Sequence, residues 1–552
     1  MKKILPLVIA LFAGGIAASA LFTSRFIPTH DGEYHIIRFW QFYKMLASGY
    51  PFPRWAPDLN SGYGLPLFIF HYPFPNYIGA FFHVWGFGFI DAFKLSLALG
   101  YLSAVLWCYV WIRSTHSKFV AACTTIVFSF IPYWFVDIYV RGSVGEVWAI
   151  SFVLLSLISI ECAWPIVSAI AIAGIIVSHN ITALFSFPFL ALYILWRRKK
   201  YLWQLLLGIV LASYFWIPAL FESKYMAGLN TVNFVDHFPD LFQLLVPSWG
   251  TGFSGRSVRF DQMSFQIGVV PMLVYFIGIV VVMLGKFRDR SLLFVLIIWG
   301  LIFYAMLKSS LWLWQLFPIV QYIQFPWRLL TLIMLFTAWL MANIAEKIPT
   351  WLTVLIVFNA IGFSIGYTHP VMYDRREDRQ YITNIHFTDG TSSLENSLST
   401  IWTGWIQTRA SSRFVFDAED AHVNIDTQSP LRYVLLVSLS KDAILTANIL
   451  YFPGWHVRID GNEAQIAYKD DGLIHVNVAE GERRVEVFFT ETPQRLIADW
   501  ISILSLFSVF GSGILGAVYA HRVKQFASHN RSQSSRSGHI HQRVDRRASK
   551  RS

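Results

Sequence analysis

The sequence predicts a mainly α, polytopic membrane protein of about twelve transmembrane helices, with an extracytoplasmic antiparallel β-sandwich domain near its C-terminus. Three observations carry this. Of the 552 residues 55% are hydrophobic and only 14% charged, whereas soluble domains carry roughly a quarter charged residues. The apolar residues gather in runs of about the length, roughly 20 residues, that crosses a bilayer core. From Thr368 to Gln494 these runs give way to short alternating segments separated by turn residues.

Met1-Lys2-Lys3 precedes an apolar run from Ile4 to Phe22, read as an uncleaved first span, although Ala18-Ser19-Ala20 imitates a signal-peptidase site. A first outer loop of residues 23–91 follows. Within it Pro66 to Phe89 is nearly as apolar as a span. Pro66, Pro73, Pro75, His71 and His83 would leave polar groups unpaired in lipid, so a surface or re-entrant segment is expected. Further spans are expected at Ala92 to Ile112, Lys118 to Tyr139, Val147 to Ile160, Trp164 to Val177, Ile181 to Trp196 and Tyr201 to Leu220. Then come Phe265 to Leu284, Leu292 to Leu307, Trp327 to Asn343 and Trp351 to Tyr367, which close a membrane domain of residues 1–367.

Residues 368–494 carry the β pattern, with strands expected at Arg413 to Asp417, Leu431 to Ser438, Ala443 to Tyr451, Trp455 to Asp460, Leu473 to Val478 and Arg484 to Phe489. Asp460-Gly461-Asn462, Asp470-Asp471-Gly472 and Ala479-Glu480-Gly481 supply turns. A final span occupies residues 495–520. The polar, basic stretch 521–552 is expected to be a disordered cytoplasmic tail.

Charge orients this map. With Met1 in the cytoplasm and Pro66 to Phe89 not crossing, Arg113 to Lys118, Arg197 to Lys200, Lys286 to Arg290 and the tail all lie inside, as the positive-inside rule asks. Much of the net charge of +11 sits in that tail, so a nucleic-acid partner is not implied. Cys108, Cys123 and Cys162 fall in or beside apolar runs and support neither a disulfide framework nor a thiolate metal site.

The same orientation puts several polar landmarks on the outer face. Asp31 and His35 share a helical face if a helix begins near Gly32, while Glu33 points elsewhere. An acid there suits a general base that removes a hydroxyl proton as a new bond forms, or a metal ligand; His35 would orient the acceptor, join a metal site or bind phosphate. Arg141 to Glu146 joins two spans. Its arginine has the fork that grips a phosphate, although a snorkelling arginine paired with Glu146 explains it equally well. His179 reads as a helix cap or a wall of the site, and Arg328 as an interfacial helix start or a second cation. Trp55 and Tyr63 are candidates for stacking on a sugar ring. No motif specifies a metal, so the cofactor stays unknown with a divalent cation left open. By this map no carboxylate sits at the midplane of a span, which speaks against an ion-coupled carrier.

Asp31 with His35, Gly49-Tyr50-Pro51, Arg54-Trp55, Gly62-Tyr63-Gly64-Leu65-Pro66 and His71-Tyr72-Pro73-Phe74-Pro75-Asn76-Tyr77 resemble bacterial membrane proteins called 6-pyruvoyl-tetrahydropterin-synthase-related. These look like the GT-C superfamily of glycosyltransferases that use polyprenyl-phosphate sugars. Tyr451-Phe452-Pro453-Gly454-Trp455-His456-Val457, Asp460-Gly461 and Gly481 to Val487 resemble the exported domain of YfhO-like proteins, implicated in glycosylating cell-surface polymers. The resemblance implies a GT-C-like membrane domain whose essential first-loop acid is Asp31. One departure is that Gly32 separates Asp31 from Glu33 where many relatives have adjacent acids, which counts against a metal-dependent mechanism.

The expectation is therefore a membrane glycosyltransferase with catalytic Asp31, His35 and Glu146, and with Arg141, His179, Arg328, Trp55 and Tyr63 binding substrate. Its partners would be membrane lipid, a polyprenyl-phosphate sugar donor and an envelope polysaccharide, lipid or protein acceptor. The rival expectation is a non-enzymatic lipid or polysaccharide translocation or assembly factor.

Overall fold

The computed structural model describes residues 4–228, 233–255, 260–285, 289–382, 399–403 and 409–511. The expected tail 521–552, the end of the last expected span and Lys286 to Arg288 lie outside these residues. The chain is a mainly helical, multi-pass membrane protein with a C-terminal antiparallel β domain. Among the described residues, Phe89–Thr115, Val144–Glu161, Asn180–Tyr201, Pro326–Ala345 and Thr350–Tyr367 are each long and apolar enough to cross a membrane. Three helix pairs pass the same test together but are sharply bent, each a broken span or a re-entrant loop, and Leu5–Ala17, Pro165–Ser178 and Val269–Leu284 are shorter apolar helices.

The first apolar run ends as α1 (Leu5–Ala17), and α2 (Gly32–Ala47) opens the first loop. Residues 66–89 form no single long helix. They make α3 (Leu67–Phe70) and α4 (Phe74–Val84), because Pro73 and Pro75 fit only the first turn of a new helix. Then come α5 (Phe89–Thr115), α6 (Lys118–Ser129), α7 (Pro132–Phe135), α8 (Val144–Glu161), α9 (Pro165–Ser178) and α10 (Asn180–Arg198).

The expected single span Lys118 to Tyr139 is in fact two pieces meeting at 49°. Pro132 lacks an amide hydrogen and forces Ile131 into extended backbone at ψ 128°, so α6 stops and α7 restarts. A second break divides Trp203–Leu211 from Ser213–Tyr225 at 70°, and a third divides Arg290–Met306 from Lys308–Leu316 at 95°.

In the β domain, β1 (Phe414–Phe416), β4 (Ala443–Leu450) and β7 (Leu473–Val478) form one sheet in the order β1-β4-β7. β2 (His422–Ser429), β3 (Arg432–Leu439), β5 (Trp455–Ile459), β6 (Asn462–Ala464) and β8 (Gly481–Phe489) form the other in the order β2-β3-β8-β5-β6. Every pairing is antiparallel. Buried Leu435, Val437, Val485, Val487 and Val457 of the larger sheet join Leu445, Ala447, Ile474 and Val476 of the smaller in one core, as facing sheets require.

This domain rests on the first loop. Trp55 is buried against Trp455 and Phe489, with ring centroids 5.4 and 5.7 Å away. Leu450 N donates to Tyr63 O at 2.9 Å, and Arg413 Nη1 donates to Gly62 O at 2.5 Å. Buried Arg54 donates to Asp499 at 2.6 Å and Glu491 at 3.2 Å at the base of the last helix, residues 493–511. Upstream, residues 374–378 strap the loop's two ends. Phe26 and Asp374 exchange backbone hydrogen bonds of 3.0 Å, and Asp378 caps α5 through the amides of Phe89 (2.6 Å) and Ile90 (3.0 Å). Arg376 joins Glu33 to Asp374.

Basic residues collect at the other end of the helical layer. Arg197 pairs with Glu161 and Lys347 with Asp289, and His116 lies within electrostatic reach of Arg197, Glu346 and Lys347.

Candidate active site

The break at Pro132 builds the centre of the site. After α7 the backbone takes one wide π turn, Val136–Arg141, and Gly142 at φ 66° reverses it into α8. A Cβ on Gly142 would lie 2.9 Å from Thr29 Cβ and 3.1 Å from the Phe93 ring, so the position needs glycine for space as well. The π turn puts Asp137 and Arg141 side by side, and the first turn of α8 brings Glu146 across from them. Arg141 Nη1 donates to Asp137, to Glu146 Oε2 at 2.7 Å and to Tyr133 Oη at 3.2 Å. Glu146 Oε1 also accepts from Tyr133 at 3.0 Å and from Thr331 at 2.6 Å. The guanidinium lies 4.9 Å from the Trp327 ring centroid. All of these groups are buried.

The first loop is stitched to this turn by backbone. His30 N donates to Val140 O at 3.0 Å and Asp31 N to Arg141 O at 2.9 Å. Asp31 is the N-cap residue of α2, yet its carboxylate does not cap the helix and is left half-buried. Arg38, Tyr72, Arg141 and Arg328 lie within its electrostatic reach. His35 stacks on Phe93 at 6.0 Å and lies 5.8 Å from His71 and 6.3 Å from Tyr72, whose ring is 5.4 Å from His179. Gly145 lets Tyr72 approach, since a Cβ there would sit 2.5 Å from Tyr72 Cζ. Burial, then the Arg38 charge, holds His35 well below its ordinary pKa and does the same for His71. That direction favours the neutral form of both rings, and among the described residues His35 Nδ1 and His71 Nε2 are buried without a hydrogen-bond partner.

The structure thus brings Asp31, His35, Arg141, Glu146, His179 and Arg328 to one end of the helical layer. Their geometry reassigns some of them. Glu146 accepts three hydrogen bonds and is the counter-ion that fixes Arg141, so it is poorly placed to move a proton. His179 caps α10, its Nδ1 accepting from Thr182 N at 3.2 Å, which puts the proton of the neutral ring on Nε2. Trp55 has no free face: it is 1% exposed under the β domain, and stacking a sugar on it is ruled out. Tyr63 lies beside the β domain with Arg413 and Asp471, away from Asp31. Glu33 is drawn off to Arg376, on a different face from Asp31.

Sequence reasoning missed Arg38, His71, Tyr72, Tyr133, Asp137 and Thr331. Asp137 is fully buried near the end of the pair Lys118–Ser129 and Pro132–Arg141, not at its middle. Its signal was the four-residue spacing to Arg141. Arg38 follows Asp31 by seven residues on the same face of α2.

From the other side, the loop after Ser213–Tyr225 reaches over the first loop. His30 Nε2 lies 2.6 Å from Thr251 O, and Phe265 stacks on Trp327 at 5.2 Å. Among the described residues no three His, Cys, Asp or Glu side chains form a metal-holding group. The three guanidinium groups acting on Asp31 oppose a dication at the same carboxylate.

No family model matches the sequence, and no curated protein matches it. Among solved structures the chain is similar to the arabinofuranosyltransferase AftD from Mycobacteria, at 13% identity and a TM-score of 0.43 over 68% of this chain and 27% of that one. It is similar to the oligosaccharyltransferase of Archaeoglobus fulgidus in its apo form, at 15% identity and a TM-score of 0.37 over 69% of this chain and 56% of that one. With the same organism's oligosaccharyltransferase AglB, in complex with an inhibitory peptide and a dolichol-phosphate, the values are 14%, 0.35, 71% and 57%. The chain therefore spans about a quarter of the length of the first and just over half that of the other two.

Proposed function

We propose that this protein is an integral membrane glycosyltransferase of the GT-C kind. It takes a sugar from a polyprenyl-phosphate donor and passes it to a cell-envelope acceptor on the extracytoplasmic face. What supports the reading above all is Asp31, a carboxylate left uncapped at a helix start, fastened by backbone to the Arg141 turn and surrounded by guanidinium groups. The first-loop resemblance assigns the essential acid to the same residue. The gathering of basic groups at the opposite end suits an outward-facing site under the positive-inside rule.

In this mechanism the acceptor hydroxyl oxygen forms the new bond at the anomeric carbon and its proton passes to the Asp31 carboxylate. The electron pair of the breaking bond leaves on the polyprenyl phosphate, which is held by the neighbouring cations, Arg328 foremost. Neutral His35 and His71 orient the reactants. Positioning and charge neutralisation supply most of the acceleration. Glu146 is a positioning residue acting through Arg141.

Purified protein reconstituted with labelled polyprenyl-phosphate sugars is expected to transfer sugar, and Asp31→Asn to abolish transfer without changing thermal stability. Undiminished transfer by Asp31→Asn rejects the assignment. A translocation factor is the second reading, favoured by ionisable residues buried inside spans. It would move lipid-linked sugar across vesicles in the Asp31→Asn variant as well as in wild type.

A further inference from the structure

The three guanidinium groups near Asp31 are not equivalent. Arg141 is satisfied twice over, with Asp137 and Glu146 both on its Nη1. Among the described residues Arg328 has no carboxylate hydrogen-bond partner: its Nη1 donates to Ile323 O and Gln324 Oε1, each at 3.0 Å, and its Nε is buried and unbonded. Arg38 is more exposed to the same shortage. Among the described residues its side chain makes no hydrogen bond, its Nε is buried, and its guanidinium lies 5.8 Å from the Tyr34 ring centroid.

A buried guanidinium donor without an acceptor is costly, and native structures normally fill such positions with protein, water or ligand. Here two of them, together with the unbonded His35 Nδ1 and His71 Nε2, are ranged around Tyr72. Arg141 is taken up by Asp137 and Glu146. Among the described residues Arg38 and Arg328 form no ion pair, and both lie within electrostatic reach of Asp31, so they keep positive charge that suits a phosphoryl anion.

We propose that Arg38 and Arg328 form a phosphoryl-anion subsite, in which Arg38 on the first-loop helix, and not Arg141, is the partner of Arg328. This rests on the glycosyltransferase reading for its purpose, since the phosphoryl group would be that of the donor, but not for its chemistry. The fork of Arg38 closes on the anion from the loop side while Arg328 holds it from the start of its span. Arg141 sets the turn that carries Asp31 and stays paired with its own carboxylates.

The test is binding without transfer. Protein in neutral-lipid nanodiscs is titrated with sugar-free polyprenyl monophosphate, and retained ligand is read by native mass spectrometry. Arg38→Gln and Arg328→Gln are each expected to weaken binding about tenfold or more, the loss typical of a charge-assisted hydrogen bond. Arg38→Lys, which keeps the charge and loses the fork, should recover part of the affinity, and Arg113→Gln at the opposite end should match wild type. A thermal melt of each variant separates loss of site from loss of fold.

Wild-type affinity in Arg38→Gln overturns the proposal, and so does equal competition by phosphatidylglycerol, which would mark general attraction to anionic lipid. Displacement by millimolar inorganic phosphate supports the subsite with a free phosphate as its ligand. Arg38-dependent binding that inorganic phosphate leaves untouched supports it with a lipid-borne one. Arg38-dependent binding without any sugar transfer leaves the subsite standing and removes the glycosyltransferase reading. Asp31-dependent transfer with Arg38-independent binding does the reverse.

Discussion

Arg141 concentrates the energetic risk of the whole site in one side chain. Two buried carboxylates and a buried tyrosine share its Nη1, and removing it would leave Asp137 and Glu146 facing each other without a cation. Arg141→Gln is expected to cost about 3–5 kcal/mol in stability. Adding Asp137→Asn and Glu146→Gln should return much of that loss, because the repulsion goes with the charges. Thermal unfolding of the purified variants checks both, and an equally unstable triple variant would mean that the network's shape, not its charge, matters. Asp31, Arg141 and Arg328 were readable as candidates because each is an ionic residue bordering apolar sequence. Arg38 and Tyr72 were not, since the first loop is crowded with charges and aromatics and no local signal separates working ones from solvated ones. Asp137 was overlooked because its only signal, the four-residue spacing to Arg141, lies within a run that otherwise reads as one continuous span. Trp55 misled for a general reason: an aromatic ring suits a sugar and a hydrophobic interface equally, and only tertiary structure tells them apart.

At the scale of elements, α2 and the turn before α4 are two pieces of first loop that share a buried pair of neutral imidazoles. Their stability should depend on pH in one direction. Above about pH 6.5 the unfolded chain's histidines are neutral too, so neither ring adds any dependence. Below it the unfolded chain takes up protons that buried His35 and His71 refuse, so stability falls as the medium is acidified. Melting temperatures recorded at pH 7.5 and 5.0 should fall on acidification by less in a His35→Asn, His71→Asn variant than in wild type; equal falls would place the sensitivity elsewhere. Legibility varied among the elements. The apolar helices and β3, β4, β5 and β7 were plain because their burial follows a period of two or of 3.6 residues. β2 was missed because nearly every residue in it is exposed, so an edge strand with no buried face leaves no alternation to read. The Gly481 expected to end a turn instead opens β8, where it pairs with Leu439.

Across the whole molecule, the helical layer, the first loop and the β domain form one interlocked body. Removing residues 368–494 would leave the membrane half working only if nothing in that range held the first loop in place. The strap argues otherwise, because Asp374, Arg376 and Asp378 lie inside the deleted range and hold Phe26, Glu33 and the start of α5. Deleting 368–494 is therefore expected to abolish Asp31-dependent transfer, whereas removing 409–489 and rejoining the ends should retain more of it and keep the strap in place. Transfer assays on the two truncations in membranes check this, and equal activity would show the strap to be dispensable. Nothing in the sequence pointed to this interlock, since contacts such as Arg54 to Asp499 join residues 445 apart.

The strap also dictates an order of events during synthesis. Glu33 leaves the ribosome 343 residues before its partner Arg376, so the amino-terminal loop must wait, inserted but unfastened, while nearly all the intervening helices are threaded into the bilayer. Until then the unfastened loop is open to chaperones and proteases, and translation arrested short of the strap is expected to yield a chain that is inserted yet immature.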